Sequence, residues 1–416
     1  MTTLRAKALD LQTFAQAADW LAVGVAMSLP WSTSATAILI TLWLLAILPT
    51  LDAAMVRRAL ATAAGGLPVL LWLLAAVGMM WADVTWFERI DGLGGYHRLL
   101  AIPLLLAQFR RSEHGAFVLY GFLVSATCLL FLSFAYVLIP VLGIYSKSYG
   151  VPVKDYILQS GIFLICAFAL IGAACDYWRA HKRQMAFALF ALSAPFLASI
   201  AFVITSRTVL VVAPVLVIAL GYRQFGMRGV AAAGLIAVAL AGVLWFGSSN
   251  LRARIFHSGD ELRAYLHTNV ANATGLHIEF LRKSLKIVDG APLIGHGTGS
   301  IAEQFRLAAA GENGTAAAVA TVNPHNQIFA VAIELGLIGA VVLLAMWTAH
   351  FMLFRGGGMT AWIGTIIVVQ NVVSSIANSH LFDFSQGWLY VFGVGVAGGM
   401  VLRERDSATA QRIAKP

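Results

Sequence analysis

Long apolar runs separated by short polar turns dominate the chain, and they fall at 14–30, 33–51, 65–82, 98–109, 115–143, 157–177, 185–205, 208–221, 229–247, 325–350, 359–378 and 385–402. A helix needs about 20 apolar residues to cross a hydrocarbon core of roughly 30 Å, so the pattern predicts an all-α polytopic membrane protein with about 12 transmembrane helices. The runs 98–109 and 208–221 are short and carry Pro103 and Pro214, which suits tilted, broken or re-entrant segments. The first run leads straight into the second without a small-residue cleavage site, so it is expected to be a retained helix.

A single polar stretch, 248–324, is too long for a simple connection. It divides the chain into helices 1–9 (1–247), one large loop (248–324), helices 10–12 (325–402) and a tail (403–416). Within the loop, Leu276, Phe280, Leu281, Leu285, Ile287 and Val288 recur at helical spacing among basic residues, which predicts an amphipathic helix near lipid headgroups. The Pro- and Gly-rich APLIGHGTGS must then turn the chain, and AAAGENGTAAAVA reads as a flexible tip.

Charge orients this frame. With both termini in the cytoplasm, every inner segment carries Lys or Arg: Arg5 and Lys7; Arg57 and Arg58; Arg110 and Arg111; Arg179, Lys182 and Arg183; Arg223 and Arg228; Arg355; and the tail with Lys415. They hold more than half of the 28 basic residues, while Arg89, Arg98, Lys147, Lys154 and Arg207 fall in short outer loops. Cytoplasmic loops collect such residues, and the large loop is thereby expected to face outward. Composition agrees: of 416 residues 60% are hydrophobic and 11% charged, with mean hydropathy +0.81, beyond the roughly 45–50% apolar content of soluble domains. The formal charge of +9 is dispersed among the helices, so it reports topology and not nucleic-acid binding. Cys128, Cys166 and Cys175 lie in apolar runs without metal-type spacing, which suggests neither disulfides nor a cluster.

Two anomalies carry candidate chemistry. In TVNPHNQ, Asn323 suits a helix N-cap and Pro324 the first helical position, which would put His325 in the first turn of the tenth spanning helix. There the helix dipole disfavours imidazolium and leaves a neutral ring able to accept a proton; a histidine that only hydrogen-bonds at the interface would also fit. Gly336 and Gly339 further along the helix permit close backbone approach. In FVITSRTVLVV, Arg207 interrupts an apolar run with no acidic residue nearby in sequence. It either snorkels to headgroups or binds a phosphorylated substrate, since guanidinium matches phosphate bidentately. Arg282 on the amphipathic segment and Arg98 at the head of a short helix are further candidates for the same anion. The outer acidic residues form no D-x-D or clustered carboxylates of the kind that hold a metal on a diphosphate, and Asp260–Glu261 is only a neighbouring pair. There is no P-loop for ATP.

His325-Asn326, nine residues, Gly336, two residues and Gly339 resemble the H-N-x9-G-x2-G pattern of O-antigen ligases. Pro292-Leu293-Ile294-Gly295-His296-Gly297 is similar to the P-L-x-G-x-G run in the outer loop of the wider superfamily, which also holds O-antigen polymerases and protein O-oligosaccharyltransferases. Ser206-Arg207 resembles that superfamily's outward Ser-Arg at a helix end. The loop-helix arginine of the superfamily falls on Arg282, or its place is taken by His277.

The resemblance implies a GT-C-like fold in the bacterial inner membrane with a periplasmic site. It further implies transfer of O-antigen from undecaprenyl diphosphate to a sugar hydroxyl of lipid A-core, without a metal or other cofactor and with inversion. His325 would be the general base, with Arg207, Arg282 and Arg98 on the diphosphate. Asn326, Gly336, Gly339 and Asp383 would orient or pack the site, and grooves between helices would hold the lipid tails, with membrane lipids as further partners. A polymerase or protein glycosyltransferase of the superfamily would use similar residues. A secondary transporter would instead show internal repeats and broken helices near mid-membrane, and the sequence shows no convincing repeat.

Overall fold

The computed structural model describes residues 2–139, 141, 149–203, 206–247, 249–312 and 315–414. Lys147 and Lys415, the side chains of Arg5 and Lys7, Asn313 and Gly314 of the segment AAAGENGTAAAVA, and the span ends at 143 and 205 lie outside the described residues. The described elements are helical: α1 (Thr2–Ser28), α2 (Thr33–Ile47), α3 (Ala53–Leu60), α4 (Ala63–Gly78), α5 (Trp86–His97), α6 (Ala101–Phe109), α7 (Gly115–Leu138), α8 (Tyr156–Arg179), α9 (Arg183–Ala198), α10 (Arg207–Gly247), α11 (Ser249–Thr268), α12 (Ala273–Gly290), α13 (Ile301–Ala309), α14 (Gln327–Leu353), α15 (Met359–Ser374) and α16 (Phe384–Ile413).

Seven helical segments among the described residues are long and apolar enough to cross a membrane, or up to eight if α3 and α4, bent by 88°, form one broken span. This is a polytopic membrane architecture, with fewer clear crossings than the twelve apolar runs. The shortfall has local causes. The run 98–109 folds as a 3-10 turn, Arg98–Leu100, followed by the nine-residue α6, which is buried on every side. The runs 208–221 and 229–247 belong to α10, interrupted at Gly226, whose φ of 60° is left-handed. The chain doubles back there, since a Cβ at Gly221 would collide with the Gly229 carbonyl. The connection 83–97, expected as an outer loop, is not a loop: Thr85 and Glu88 form a reciprocal capping box that starts α5.

The polar insertion folds as α11, α12 and α13 with tight connections, and α12 buries Glu279, Phe280, Ser284 and Ile287. What docks it is a break in α14. At Gly336 the backbone turns left-handed (φ 64°) and the helical ladder is interrupted. The freed carbonyls of Ile333 and Glu334 accept the N–H groups of His296 (2.8 Å) and Gly297 (2.9 Å). The freed N–H groups of Leu337 and Ile338 donate to the carbonyls of Pro292 (2.8 Å) and Leu293 (3.3 Å). In hydrocarbon each unsatisfied backbone group costs several kcal/mol, so the break persists because the inserted segment satisfies it.

That segment needs glycine at alternate positions. Gly295, Gly297 and Gly299 have φ of 68°, 90° and 89°. A Cβ on them would strike Glu334, Ala82 and Glu88 backbone respectively. Thr298 completes the docking, its N–H on the Gly78 carbonyl and its hydroxyl on that of Ala75 (2.6 Å).

Gly336→Ala is expected to lower stability by about 1–2 kcal/mol from the left-handed backbone alone, with more from the collision of its Cβ with Leu293. Gly357→Ala, where a Cβ meets open space, should be neutral. Thermal unfolding of the purified proteins in detergent compares them, and equal melting temperatures would refute this account of the break.

Candidate active site

His325 precedes α14 and is not in its first turn. The N-cap is Asn326, whose side-chain oxygen accepts from Ile328 and Phe329 N–H at 2.9 and 3.2 Å. Asn323, the expected cap, is engaged elsewhere: its Oδ1 accepts the His325 N–H at 2.8 Å across Pro324, and its Nδ2 donates to Asn378 Oδ1 at 2.9 Å. This side-chain turn holds His325 at φ 54°, a left-handed conformation uncommon for non-glycine residues though less so for Asn, Asp and His. Strain of this kind concentrates at functional sites, so His325 is a candidate on backbone grounds as well as by residue type.

The ring is roofed by α12. Phe280 stacks on His325 at 5.7 Å between centroids, and His277 meets it edge-on at 4.8 Å. Burial pushes the His325 pKa below its usual value, opposed by a hydrogen bond with the Asn378 side chain. The His277 pKa is also lowered, first by burial, then by His325 and by the charge of Arg207, with Glu261 acting against these. His277 is therefore the group that feels both His325 and Arg207.

Arg207 opens α10 and is 48% exposed. Its lack of an acidic neighbour in sequence is made good in space: Nη2 donates to Glu261 Oε2 at 3.3 Å. Glu261 also accepts from the Thr274 hydroxyl at 2.6 Å and faces His257. Hydrogen bonding from Thr274, then from Arg207, keeps its carboxyl below the usual range. With Arg207 half exposed and Glu261 also held by Thr274, solvent weakens the pair, so an anion can take over the guanidinium while Glu261 keeps a partner.

The other arginines have protein partners. Arg282 pairs with Glu279 (Nε to Oε2, 2.9 Å) and lies 3.9 Å from Glu312. Arg98 is buried, and its Nη1 donates to the Asp383 and Phe384 carbonyls at the start of α16. Asp383 occupies the N-cap position of α16 but makes no side-chain cap bond; its carboxylate lies 4.0 Å from His380 Nε2. Burial, with Asp155 adding and Arg98 opposing, raises the Asp383 pKa to about 6. His380 bonds Ser374 through Nδ1 at 2.7 Å, and burial brings its pKa down to about 4. Gly336 faces the inserted loop, and Gly339 packs on Val331 and Leu335.

Sequence reasoning missed Glu334. Buried within α14, it accepts the Tyr96 hydroxyl (2.7 Å) and the Gly299 N–H (2.8 Å), so one carboxylate ties α5, the inserted loop and the broken helix together. A lone Glu inside an apolar run was the available signal. Asn378 and His380 had none, since both reach the site only through the turn between α15 and α16. Among the described residues no cluster of His, Cys, Asp and Glu could hold a metal ion.

Residues 192–344 match the family model described as O-Antigen ligase (Wzy_C). The match includes Arg207, His277, Arg282, His325, Gly336 and Gly339 and leaves out Arg98 and Asp383. No curated protein matches the chain.

An acid with a raised folded-state pKa makes the folded protein bind more protons, so Asp383 should reduce stability as pH rises from its ordinary 3.8 through about 6. Its side chain is 42% exposed, and solvent screens part of the effect. Asp383→Asn is expected to flatten the pH dependence of the melting temperature in that window and to raise it above pH 6. An unchanged profile would contradict the assignment.

Proposed function

We propose, from the match of residues 192–344 to the O-Antigen ligase family model, that the chain belongs to that superfamily and transfers a polysaccharide from undecaprenyl diphosphate to a sugar hydroxyl of lipid A-core. The site faces the periplasmic side of the inner membrane. The observation that carries the reading is the left-handed His325, fixed by Asn323 and enclosed by His277 and Phe280 on a helix that also approaches Arg207.

In this reading the acceptor oxygen attacks the anomeric carbon as the bond from that carbon to the diphosphate oxygen breaks. Attack opposite the leaving group inverts the centre. His325, neutral because its pKa is depressed, takes the hydroxyl proton, and undecaprenyl diphosphate leaves with the bonding electrons. Arg207 stabilises the charge that develops on the departing phosphate, exchanging Glu261 for it. No metal is required for this distribution of charge. From α12, His277 is the group that shares the space of His325, whereas Arg282 is held by Glu279; His277 supplies a hydrogen bond to the diphosphate or to the acceptor. Arg98 acts on the site by holding the start of α16.

Purified protein, lipid-linked glycan and rough lipopolysaccharide in chelator test the reaction through formation of higher-mass lipopolysaccharide. His325→Ala should lower turnover by about 10²–10⁴-fold, and Arg207→Ala by about 10²–10³-fold. His277→Ala should weaken transfer more than Arg282→Ala. A folded His325→Ala protein with normal turnover would remove the base, and longer lipid-linked glycan in place of modified lipopolysaccharide would identify a polymerase.

The pH profile follows from the His325 shift. Its pKa lies below the ordinary 6.5, so the ring is neutral at pH 7 and kcat/KM should fall as pH drops through the lowered value. A fall that begins well above 6.5 would assign the titration to a different group.

A further inference from the structure

At the end of the bundle away from His325, the helices enclose a cavity of about 480 Å³ between α1, α7, α8, α9, α15 and α16. Its placement follows from connectivity. α14 starts beside His325 and runs 27 residues, about 40 Å at ~1.5 Å per residue less the bend, before α15 starts at Met359, which lines the cavity mouth together with Thr360. Along α8 the cavity reaches from Tyr177 at the mouth to Ile165, about 18 Å at ~1.5 Å per residue. That is slightly more than half of the roughly 30 Å hydrocarbon core, the depth of one leaflet.

Its walls are aliphatic and aromatic, and polar groups gather at one end. Asp176 stands there, held by Arg179 at 2.8 Å and by Arg223 at 2.7 Å. The turn from α8 to α9 rims this end. Lys182 lies over the Tyr177 ring (5.9 Å) and Arg183 over the Trp178 ring (5.6 Å), while Trp178 meets Phe187 edge-on (5.5 Å). Exposed Tyr177, Trp178 and Phe187 beside exposed basic residues have the composition of a membrane–water boundary. The mouth thus opens at headgroup level with three exposed cations, Arg179, Lys182 and Arg183, next to it. Asp176 does not reverse that sign, because two arginines pair with it.

We infer that this cavity binds one acyl chain of an anionic phospholipid, with the phosphate at Arg179, Lys182 and Arg183. A phospholipid chain matches a slot one leaflet deep, whereas a polyprenyl chain long enough to span the bilayer would leave much of itself outside. The headgroup charge selects among phospholipids: juxtamembrane Lys and Arg attract anionic lipids, and that attraction weakens with salt. The site is independent of the transfer reaction, sharing no residue with the His325 centre.

The test uses the full chain, purified in detergent and stripped of lipid, with phosphatidylglycerol or phosphatidylcholine added back at low and high salt. Bound phospholipid is counted by mass spectrometry of the intact complex, and melting temperature is recorded in parallel. Wild type should retain a single phosphatidylglycerol and melt higher with it than with phosphatidylcholine, the difference shrinking at high salt. Ala173→Phe, which fills the cavity from its wall, should lose bound lipid several-fold. The exposed double variant Lys182→Glu, Arg183→Glu keeps the cavity and should lose the headgroup preference, so the proposal remains testable if the filled variant fails to fold. Equal binding of the two lipids by wild type, full retention by Ala173→Phe, or displacement of the bound lipid by undecaprenyl phosphate would each overturn it.

Discussion

Four backbone hydrogen bonds between the broken helix α14 and the segment Pro292–Gly297 hold together the half of this protein that carries His325. An interrupted helix at membrane depth exposes donors and acceptors that lipid cannot satisfy. A Pro- and Gly-rich turn has the same need if it is to be buried. Each solves the other's problem, and the alternating glycines are what let the two backbones come close enough. Glu334 adds a side-chain contact at the same point, bonding Gly299 of the turn and Tyr96 of α5. The helix break is therefore the socket that receives the polar insertion, and α12 is brought over the start of α14 as a consequence.

His325 inherits its environment from that socket. The ring is covered by Phe280 and His277 only because α12 leads directly into the docked segment. The cover removes water and lowers the proton affinity of the ring, while Arg207 stands near His277 as a permanent cation. A neutral base beside a cation suits a reaction in which a hydroxyl loses a proton as negative charge grows on a leaving group. A protonated histidine in the same place would repel the arginine and could accept nothing. Burial thus lowers the proton affinity of the imidazole against the hydrogen bond with Asn378, and the left-handed backbone at His325 fixes where it points.

Much of this was legible in the sequence, for physical reasons that differ by residue. Arg207 stands out because a charge in an apolar run must have a partner, although the partner, Glu261, comes from 54 residues away and no local pattern announces it. His325 stands out by its place between polar and apolar stretches, yet its local geometry does not. Asn-Pro-His-Asn offers two asparagines able to cap a helix, and the choice is made by Asn378, which engages Asn323 and leaves the cap to Asn326. The glycines of the turn are visible, but their partner is not, since a helix break supported by a distant loop has no signature in either segment alone. Glu334 was hidden for the opposite reason, lying in a run whose apolar character dominates any window average.

Arg98 and Asp383 show how a charged residue can serve a site without facing a substrate. Arg98 is buried, and its guanidinium is committed to the main-chain carbonyls of Asp383 and Phe384. Those carbonyls end the turn that begins at Ser375, and that turn reaches back to α14 through Ser375 and Leu381 to Gln327, and through Ile376 to Asn326. Asn378, which touches both Asn323 and His325, lies between these anchors. A displacement of Arg98 would release one end of the turn and move Asn378, so it would alter the orientation of His325 without removing any group that could meet a diphosphate. In the proposed reaction the phosphate-facing charge then falls to groups with freedom to exchange partners, and Arg207, half exposed and singly paired with Glu261, has that freedom where Arg98 does not.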